Sequence, residues 1–200
     1  MRIPGQGLLR TYKTDALRLP VGNPVIAWLR PAGTSPDDAA HLSEWRNRFV
    51  TSFLTEFQAT PESTAQWLNQ TVGPDDTRIL FMLDLEEGGT VGYLGLAFID
   101  WGDGQGEADA VVRGEDAPKG LMTTALRTLL TWARGPLGLK DLGVRVRSDN
   151  PAITFYENTG FSETHRVPLR RTERPDTVSW VEDQVAVDSD LDLVHMVWTG

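Results

Sequence analysis

The chain has 200 residues, of which 40% are hydrophobic and 24% are charged, and its formal net charge is −9. This composition fits one globular domain, and the longest apolar runs fall far short of the roughly 20 residues that a membrane-spanning helix needs. The acidity disfavours nonspecific binding to nucleic acid and favours a cationic partner. The absence of cysteine excludes disulfides. The three histidines are too far apart in the sequence to show the spacing of metal ligands, so no metal site is expected.

The N-terminal residues mix glycine, proline and charge without a clear period. We expect residues 1–24 to form an arm that adds an edge strand, and residues 25–200 to form a single domain that begins with a strand from Val25 to Arg30. No secretory signal is readable at the start of the arm, so a cytoplasmic location is expected.

Two helices are predicted after this strand. Asp37 or Asp38 would cap the first helix. Its apolar face would carry Leu42, Trp45, Phe49 and Val50. The second helix would begin after Thr60, with proline at its first position, and would continue through Leu68.

The next segment predicts an antiparallel meander. Ile79 to Leu85 and Thr90 to Asp100 are rich in strand-forming residues and are separated by Glu86–Gly89, which is typical of a hairpin turn. A third strand is expected from about Glu107 to Arg113, after a glycine-spaced turn.

From Lys119 the apolar period becomes helical and continues until Gly135-Pro136. The face of this helix would consist of Met122, Ala125, Leu126, Leu129, Leu130 and Ala133. Alternation in residues 142–147 then predicts a strand, so the helix would connect two parallel strands by a right-handed crossover.

The C-terminal part predicts one short helix and two strands. Asn150 caps the helix and Gly160 ends it. The strands would be Phe161–Arg171 and Asp190–Trp198, joined by a polar segment, residues 172–189. We interpret the acidic stretch from Glu182 to Asp192 as a solvated loop. Together the elements predict an α/β fold: a mixed, mostly antiparallel twisted sheet of about six or seven strands, with a central parallel pair and flanking helices.

A strand that passes through a glycine-containing loop directly into a helix predicts an anion site. The free amides at the helix start and the helix dipole favour negative charge, and Gly120 lets a phosphate approach the backbone. Lys119 adds a counter-charge. The alternative is a simple connection that binds no ligand.

The segment from Asn150 to Phe161 carries a second signal. Tyr156 lies six residues after Asn150, and its phenol can donate a proton to a departing anion. The alternative is that this tyrosine only packs in the core.

The two segments together resemble the GNAT superfamily of acyltransferases. The matches in the second segment are Asn150, Ala152, Tyr156, Gly160 and Phe161. In the loop, the family commonly has Gln or Arg, two residues, Gly, one residue, then Gly or Ala; this chain has Ala117, Gly120 and Met122 at those positions. The resemblance implies transfer of an acetyl group from acetyl-CoA to a primary amine, without a metal.

The resemblance also implies roles for individual residues. Asn150 would help to fix the pantetheine arm, and Tyr156 would protonate the leaving CoA thiolate. The arm would also lie along the strand formed by Val111, Val112 and Arg113. The pyrophosphate would be held by Lys119, Gly120, Leu121, Met122 and Thr123.

The acceptor side is less sharply defined. The segment Trp45-Arg46-Asn47 resembles part of the N-terminal helices of bacterial family members that acetylate amino-sugar nucleotides. This resemblance makes the three residues candidates for substrate binding. The alternative is that Trp45 packs in the core and the other two side chains are solvated. Glu107 and Asp109 share a strand face and are candidate bases.

Several functions remain open at this point. The favoured one is N-acetylation of a small-molecule amine, with an amino-sugar nucleotide as the favoured acceptor. The alternatives are a protein N-terminus, an aminoglycoside or a natural-product amine as acceptor, or a catalytically silent acyl-CoA-binding module. No nucleic-acid or membrane partner is expected, and a homodimer is left open.

Overall fold

The computed structural model describes residues 4–185 and 189–200. Residues 1–3 of the expected arm, and residues 186–188 of the expected solvated loop, lie outside these ranges. The described α-helices are α1 Pro4–Thr14, α2 Pro36–Arg48, α3 Pro61–Trp67, α4 Leu121–Arg134 and α5 Ala152–Thr159. The described strands are β1 Leu19–Val21, β2 Ala27–Pro31, β3 Thr55–Glu56, β4 Ile79–Leu85, β5 Thr90–Asp100, β6 Gln105–Arg113, β7 Asp141–Arg147, β8 Phe161–Arg174, β9 Thr177–Glu182 and β10 Asp192–Trp198.

The strands form one mixed sheet in the order β1-β2-β4-β5-β6-β7-β10-β8-β9-β3. Its only parallel pair among the described strands is β6 with β7, and the other neighbours are antiparallel. The predicted α/β class and the central parallel pair are confirmed. The strand count of six or seven is too low, because the sheet has ten strands: β3 and β9 were not predicted, and β1 is the edge strand expected from the arm.

Helices cover both faces of the sheet. On one face, α1, α4 and α5 pack over the main core, to which they contribute Leu9, Leu126 and Tyr156. On the other face, α2 and the turn after α3 form a smaller core that includes Trp45, Leu68 and Val112. Within the described ranges, no helix is both long and apolar enough to cross a membrane.

The arm contains an unpredicted helix. The expected edge strand is present as β1, which pairs with β2, but α1 precedes it. The glycines of α1 disfavour a helix on propensity alone. A Cβ on Gly5 would overlap the carbonyl of Leu137, so this residue lets α1 lie against the chain that follows α4. Tertiary packing therefore outweighs propensity in this segment.

The start and end of α2 differ from expectation. Ser35 is its N-cap and accepts a hydrogen bond from the Asp38 amide. The Asp38 carboxylate instead accepts from the Gly33 amide and pairs with Arg30 at 2.9 Å. Phe49, expected on the buried face, follows the last helical residue and is 38% exposed.

Candidate acyl-transfer site

The parallel strands β6 and β7 diverge. They pair only at Gln105 with Asp141, Gly106 with Leu142 and Glu107 with Gly143. Beyond these residues β6 continues against β5, and β7 continues against β10. The C-terminal halves of the two strands therefore border an open gap, which we call the wedge.

One side of the wedge is shaped by a bulge in β6. The register with β5 shifts between Tyr93 and Gly95, and Ala110 adopts a positive φ of 52°. Such a bulge places an extra residue in one strand and redirects the neighbouring side chains. Asp109, directly before it, lies beyond the last parallel pair and so borders the wedge.

The loop at the start of α4 has the geometry of an anion-binding site. Gly120 adopts a φ of 83° directly before the first helical residue. Among the described residues, no backbone or side-chain acceptor is found for the amides of Met122 and Thr123. A Cβ on Gly120 would meet no protein atom within 4 Å, so the space above this amide turn is open to a ligand.

A cavity of about 470 Å³ joins this loop to the wedge. It is lined by Val111, Arg113, Ala117, Pro118, Lys119, Gly120, Leu121, Met122, Thr123, Ala152 and Phe155. The structure thus brings together all the predicted cofactor-binding residues except two. Val112 points into the smaller core and is 6% exposed, which leaves its backbone as the group available to a ligand.

Asn150, the other exception, fastens the start of α5. Its side-chain oxygen accepts a hydrogen bond from the Ala152 amide at 2.9 Å. Its side-chain nitrogen donates to the carbonyl of Ser52 at 3.2 Å. Contact with a pantetheine arm stays a prediction, for which the second hydrogen of the amide is available.

Tyr156 lies in α5 with its ring held edge-on by Phe155 and Phe161, at centroid distances of 5.3 and 5.7 Å. It is 7% exposed. In the part of the chain that the structure describes, its hydroxyl makes no hydrogen bond. Burial raises the pKa of the phenol, and the charge of Asp109 raises it further, so the group remains protonated at neutral pH.

The two candidate bases have different surroundings. Glu107 accepts a hydrogen bond from Nε of Arg145 at 2.7 Å, and this ion pair engages its carboxylate. Asp109 has no such ion pair among the described side chains. Its side chain is exposed to solvent, although protein atoms crowd the carboxylate. This crowding raises the pKa of Asp109, and the charges of Arg78 and Arg145 only partly oppose the effect.

The three candidate substrate residues make contacts within the protein. Trp45 is fully buried. Arg46 donates to the carbonyls of Thr55 and Phe57, and burial lowers its pKa. Asn47 exchanges two hydrogen bonds of 2.8 Å with the backbone of Ala59. These positions support the neighbouring backbone, and the substrate role of the three residues stays a prediction.

Residues 50–57, which we call the strap, connect α2 to the far edge of the sheet. Arg46 holds the strap on the side of α2. On the side of β7, Arg147 donates to Glu56 at 2.9 Å, and Trp180 of β9 donates to the same carboxylate at 2.8 Å. The strap therefore passes from the β6 side of the wedge to the end of β7.

Sequence analysis missed two groups near the wedge. Burial raises the pKa of Tyr93, the charge of Arg46 opposes this rise, and the charge of Asp109 adds to it. Tyr93 pairs with Val112 on the strand that carries Asp109. Arg145 binds Glu107 and lies with its guanidinium carbon 4.6 Å from the ring centre of Phe98. The alternation of β7 predicted that Arg145 faces away from the main core, but its partners come from other strands and are not visible in a single sequence.

The family model for an acetyltransferase (GNAT) domain matches residues 27–162. No curated protein matches the chain by sequence. Among solved structures, the spermidine N-acetyltransferase of Vibrio cholerae in complex with CoA and spermine aligns with a TM-score of 0.68 and 17% identity, over 86% of this chain and 94% of that one.

The same Vibrio cholerae enzyme in complex with manganese ions aligns with a TM-score of 0.63 and 17% identity, over 86% of this chain and 91% of the other. At these identities the likeness concerns the fold. The family model covers more than half of the chain, and the matched residues include the loop before α4. The chain belongs to the GNAT acetyltransferase family, and it is an acyltransferase that uses acetyl-CoA.

Proposed function

We propose that the chain transfers the acetyl group of acetyl-CoA to a primary amine of a small cationic molecule, and that the transfer takes place in the wedge. The observation that carries this proposal is the continuity of the site. The open amides before α4, the cavity of about 470 Å³ and the diverging strands adjoin one another. Tyr156 directly follows the cavity residue Phe155, and the charge of Asp109 acts on the Tyr156 phenol.

The residues of this site fit acetyl-CoA. The amides of Met122 and Thr123 and the cation of Lys119 suit a pyrophosphate. The unpaired edges of β6 and β7 offer backbone groups to the amide-containing pantetheine arm. The thioester would then lie between Asp109 and Tyr156.

The chemistry needs one base and one acid. The neutral amine attacks the thioester carbonyl and forms the new C–N bond, and Asp109 receives the proton that the nitrogen loses, directly or through water. Cleavage of the C–S bond expels the CoA thiolate, which takes a proton from Tyr156. Proximity within the wedge supplies most of the rate enhancement.

Three observations support a cationic acceptor. The chain carries a net charge of −9. The carboxylate of Asp109, on the strand that borders the wedge, is exposed. The structural neighbours named above are spermidine N-acetyltransferases. An amino-sugar nucleotide is not favoured, because the residues that suggested it, Trp45, Arg46 and Asn47, make contacts within the protein.

A panel of acceptors tests this proposal. Thiol release from acetyl-CoA would be measured with spermidine, an aminoglycoside, a UDP-amino sugar and a peptide with a free N-terminus. We expect the highest kcat/KM with spermidine and a decrease with rising salt, since screening weakens the attraction between opposite charges. A fully N-methylated polyamine is the matched control, because it keeps the charge but cannot be acetylated.

The outcomes separate the two parts of the proposal. A preference for the nucleotide sugar or the peptide would overturn the cationic acceptor and leave acetyl transfer in place. Thiol release no faster than the amine-free rate with every acceptor would count against a cationic small-molecule amine, and unchanged CoA affinity after substitution of Gly120 would count against the wedge as the site.

A further inference from the structure

Trp45 contacts the segment that leads from β6 to the anion-binding loop. Its indole Nε1 donates a hydrogen bond to Oε1 of Glu115 at 2.9 Å. A Cβ on Gly114 would overlap the indole ring, so the backbone can lie against Trp45 only because residue 114 is glycine. The side chain therefore holds two successive residues of the segment.

The indole itself is held in place. It stacks with His41 at a centroid distance of 4.7 Å and with Tyr93 at 6.2 Å, with interplanar angles of 12° and 15°. Its exposed fraction is 0%. Packing against these two rings holds the indole in one orientation, in which its N–H group points to Glu115.

A second residue of α2 binds the same segment. Arg48 donates to the carbonyl of Gly114, and its guanidinium lies 3.6 Å from the Glu115 carboxylate. On the other side, the amides of Gly114 and Glu115 donate to the Val91 carbonyl. For Asp116 and Ala117, which follow, no backbone hydrogen bond is found within the described ranges. The loop is thus anchored at Gly114 and Glu115.

We propose that Trp45 is a positioning residue for the acetyl donor: through Glu115 and Gly114 it fixes the direction in which residues 115–120 leave β6. This inference rests on the proposed function, since it requires that the loop before α4 binds CoA. Trp45 then governs the affinity for acetyl-CoA and not the affinity for the amine. The last turn of α2 supports the donor loop through Trp45 and the strap through Arg46.

Substitution of Glu115 tests the role of Trp45 without disturbing the core, because the Glu115 side chain is 52% exposed. Glu115→Ala removes the acceptor of the indole hydrogen bond, and we expect the KM for acetyl-CoA to rise about 5- to 10-fold, since the loop is then less often in its binding conformation. The KM for the amine and kcat should stay within about twofold. Glu115→Gln keeps an oxygen acceptor and should restore the wild-type KM.

Two controls isolate the hydrogen bond. Glu87→Ala removes an exposed carboxylate in the turn between β4 and β5 that has no partner among the described side chains, and it should leave the KM for acetyl-CoA unchanged. In a Trp45→Phe background, whose folding is checked by thermal unfolding, Glu115→Ala should have a smaller effect than in the wild type, because only the contact of Glu115 with Arg48 is then lost. The inference is overturned if Glu115→Ala behaves like Glu87→Ala, or if Glu115→Gln is as impaired as Glu115→Ala.

Calorimetric titration of CoA into Gly120→Val distinguishes this failure from that of the proposed function. If Gly120→Val binds CoA weakly while Glu115→Ala binds it normally, only the positioning role fails. If Gly120→Val binds CoA as the wild type does, the donor site lies elsewhere, and both proposals are overturned.

Discussion

Tyr156→Phe is the most direct test of the chemistry in the wedge, because it removes one hydroxyl and keeps the ring. The ring packs edge-on against Phe155 and Phe161, and phenylalanine can make the same contacts. Since the hydroxyl has no protein partner in the described residues, its removal leaves no group unpaired. We expect the free energy of unfolding to change by less than about 1 kcal/mol.

The expected loss of activity is much larger than this change in stability. A positioned general acid contributes about 10²- to 10⁴-fold to the rate, which corresponds to roughly 3 to 5 kcal/mol of transition-state stabilisation. Burial, and secondarily the Asp109 charge, raise the pKa of Tyr156, so the phenol does not lose its proton near neutral pH. The wild-type rate should therefore show no alkaline decline caused by Tyr156 in the neutral range.

Single-turnover acetyl transfer at saturating acetyl-CoA measures this effect without a contribution from product release. CoA affinity, measured in parallel by titration, should stay within about threefold of the wild-type value, because the loop before α4 is untouched. A single-turnover rate close to that of the wild type would refute the reasoning and leave Tyr156 as a packing residue.

Three further predictions concern other parts of the site. Gly120→Val should weaken CoA binding at least tenfold in titration, whereas Gly89→Val, at a glycine with a similarly positive φ and equally open surroundings, should not. An equal loss of CoA affinity in both variants would show that backbone strain, and not a blocked phosphate site, causes the loss. Because crowding raises the pKa of Asp109, kcat/KM should fall as pH drops through that raised pKa, and Asp109→Asn should be slow and lack this acidic limb; the same limb in the variant would exclude Asp109 as the base. Arg147→Gln should lower the free energy of unfolding in urea by about 1 to 2 kcal/mol, since Glu56 and Asp149 lose a common partner but stay partly exposed, and Glu56 keeps its bond from Trp180; a loss below about 0.5 kcal/mol would show that solvent replaces the pair.

Elements with a strong local pattern were predictable from the sequence. The bounds of β4 and β5 agree with the prediction, because each strand is a run of strand-forming residues bounded by turn residues. The helix α4 was predicted from its apolar period, and α5 from the expected asparagine cap and from Gly160, which adopts a φ of 107°. The cap prediction is off by one residue, because α5 begins at Ala152 and Pro151 is its N-cap. In each case the signal lies within the segment itself.

The elements that sequence analysis missed depend on distant partners. The strand β9 lies in a segment predicted to be polar and irregular, and its side chains are half-buried or exposed, so no apolar alternation marks it. The strand β3 has two residues and is defined by pairing with β9. Within the site, the contact of Trp45 with Glu115 could not be predicted for the same reason, because Glu115 lies 70 residues away in the chain. The type and position of Trp45 had suggested a substrate contact instead.

The pairing of the strap with β9 has a consequence for the order in which the chain folds. The hydrogen bond between Trp180 and Glu56 spans 124 positions, whereas the loop before α4 and the helix α5 lie between the two ends. Closing so long a loop is costly until the intervening chain has folded. During synthesis, the half of the site that holds the donor can therefore form first, and the strap can be fastened only after β9 has left the ribosome.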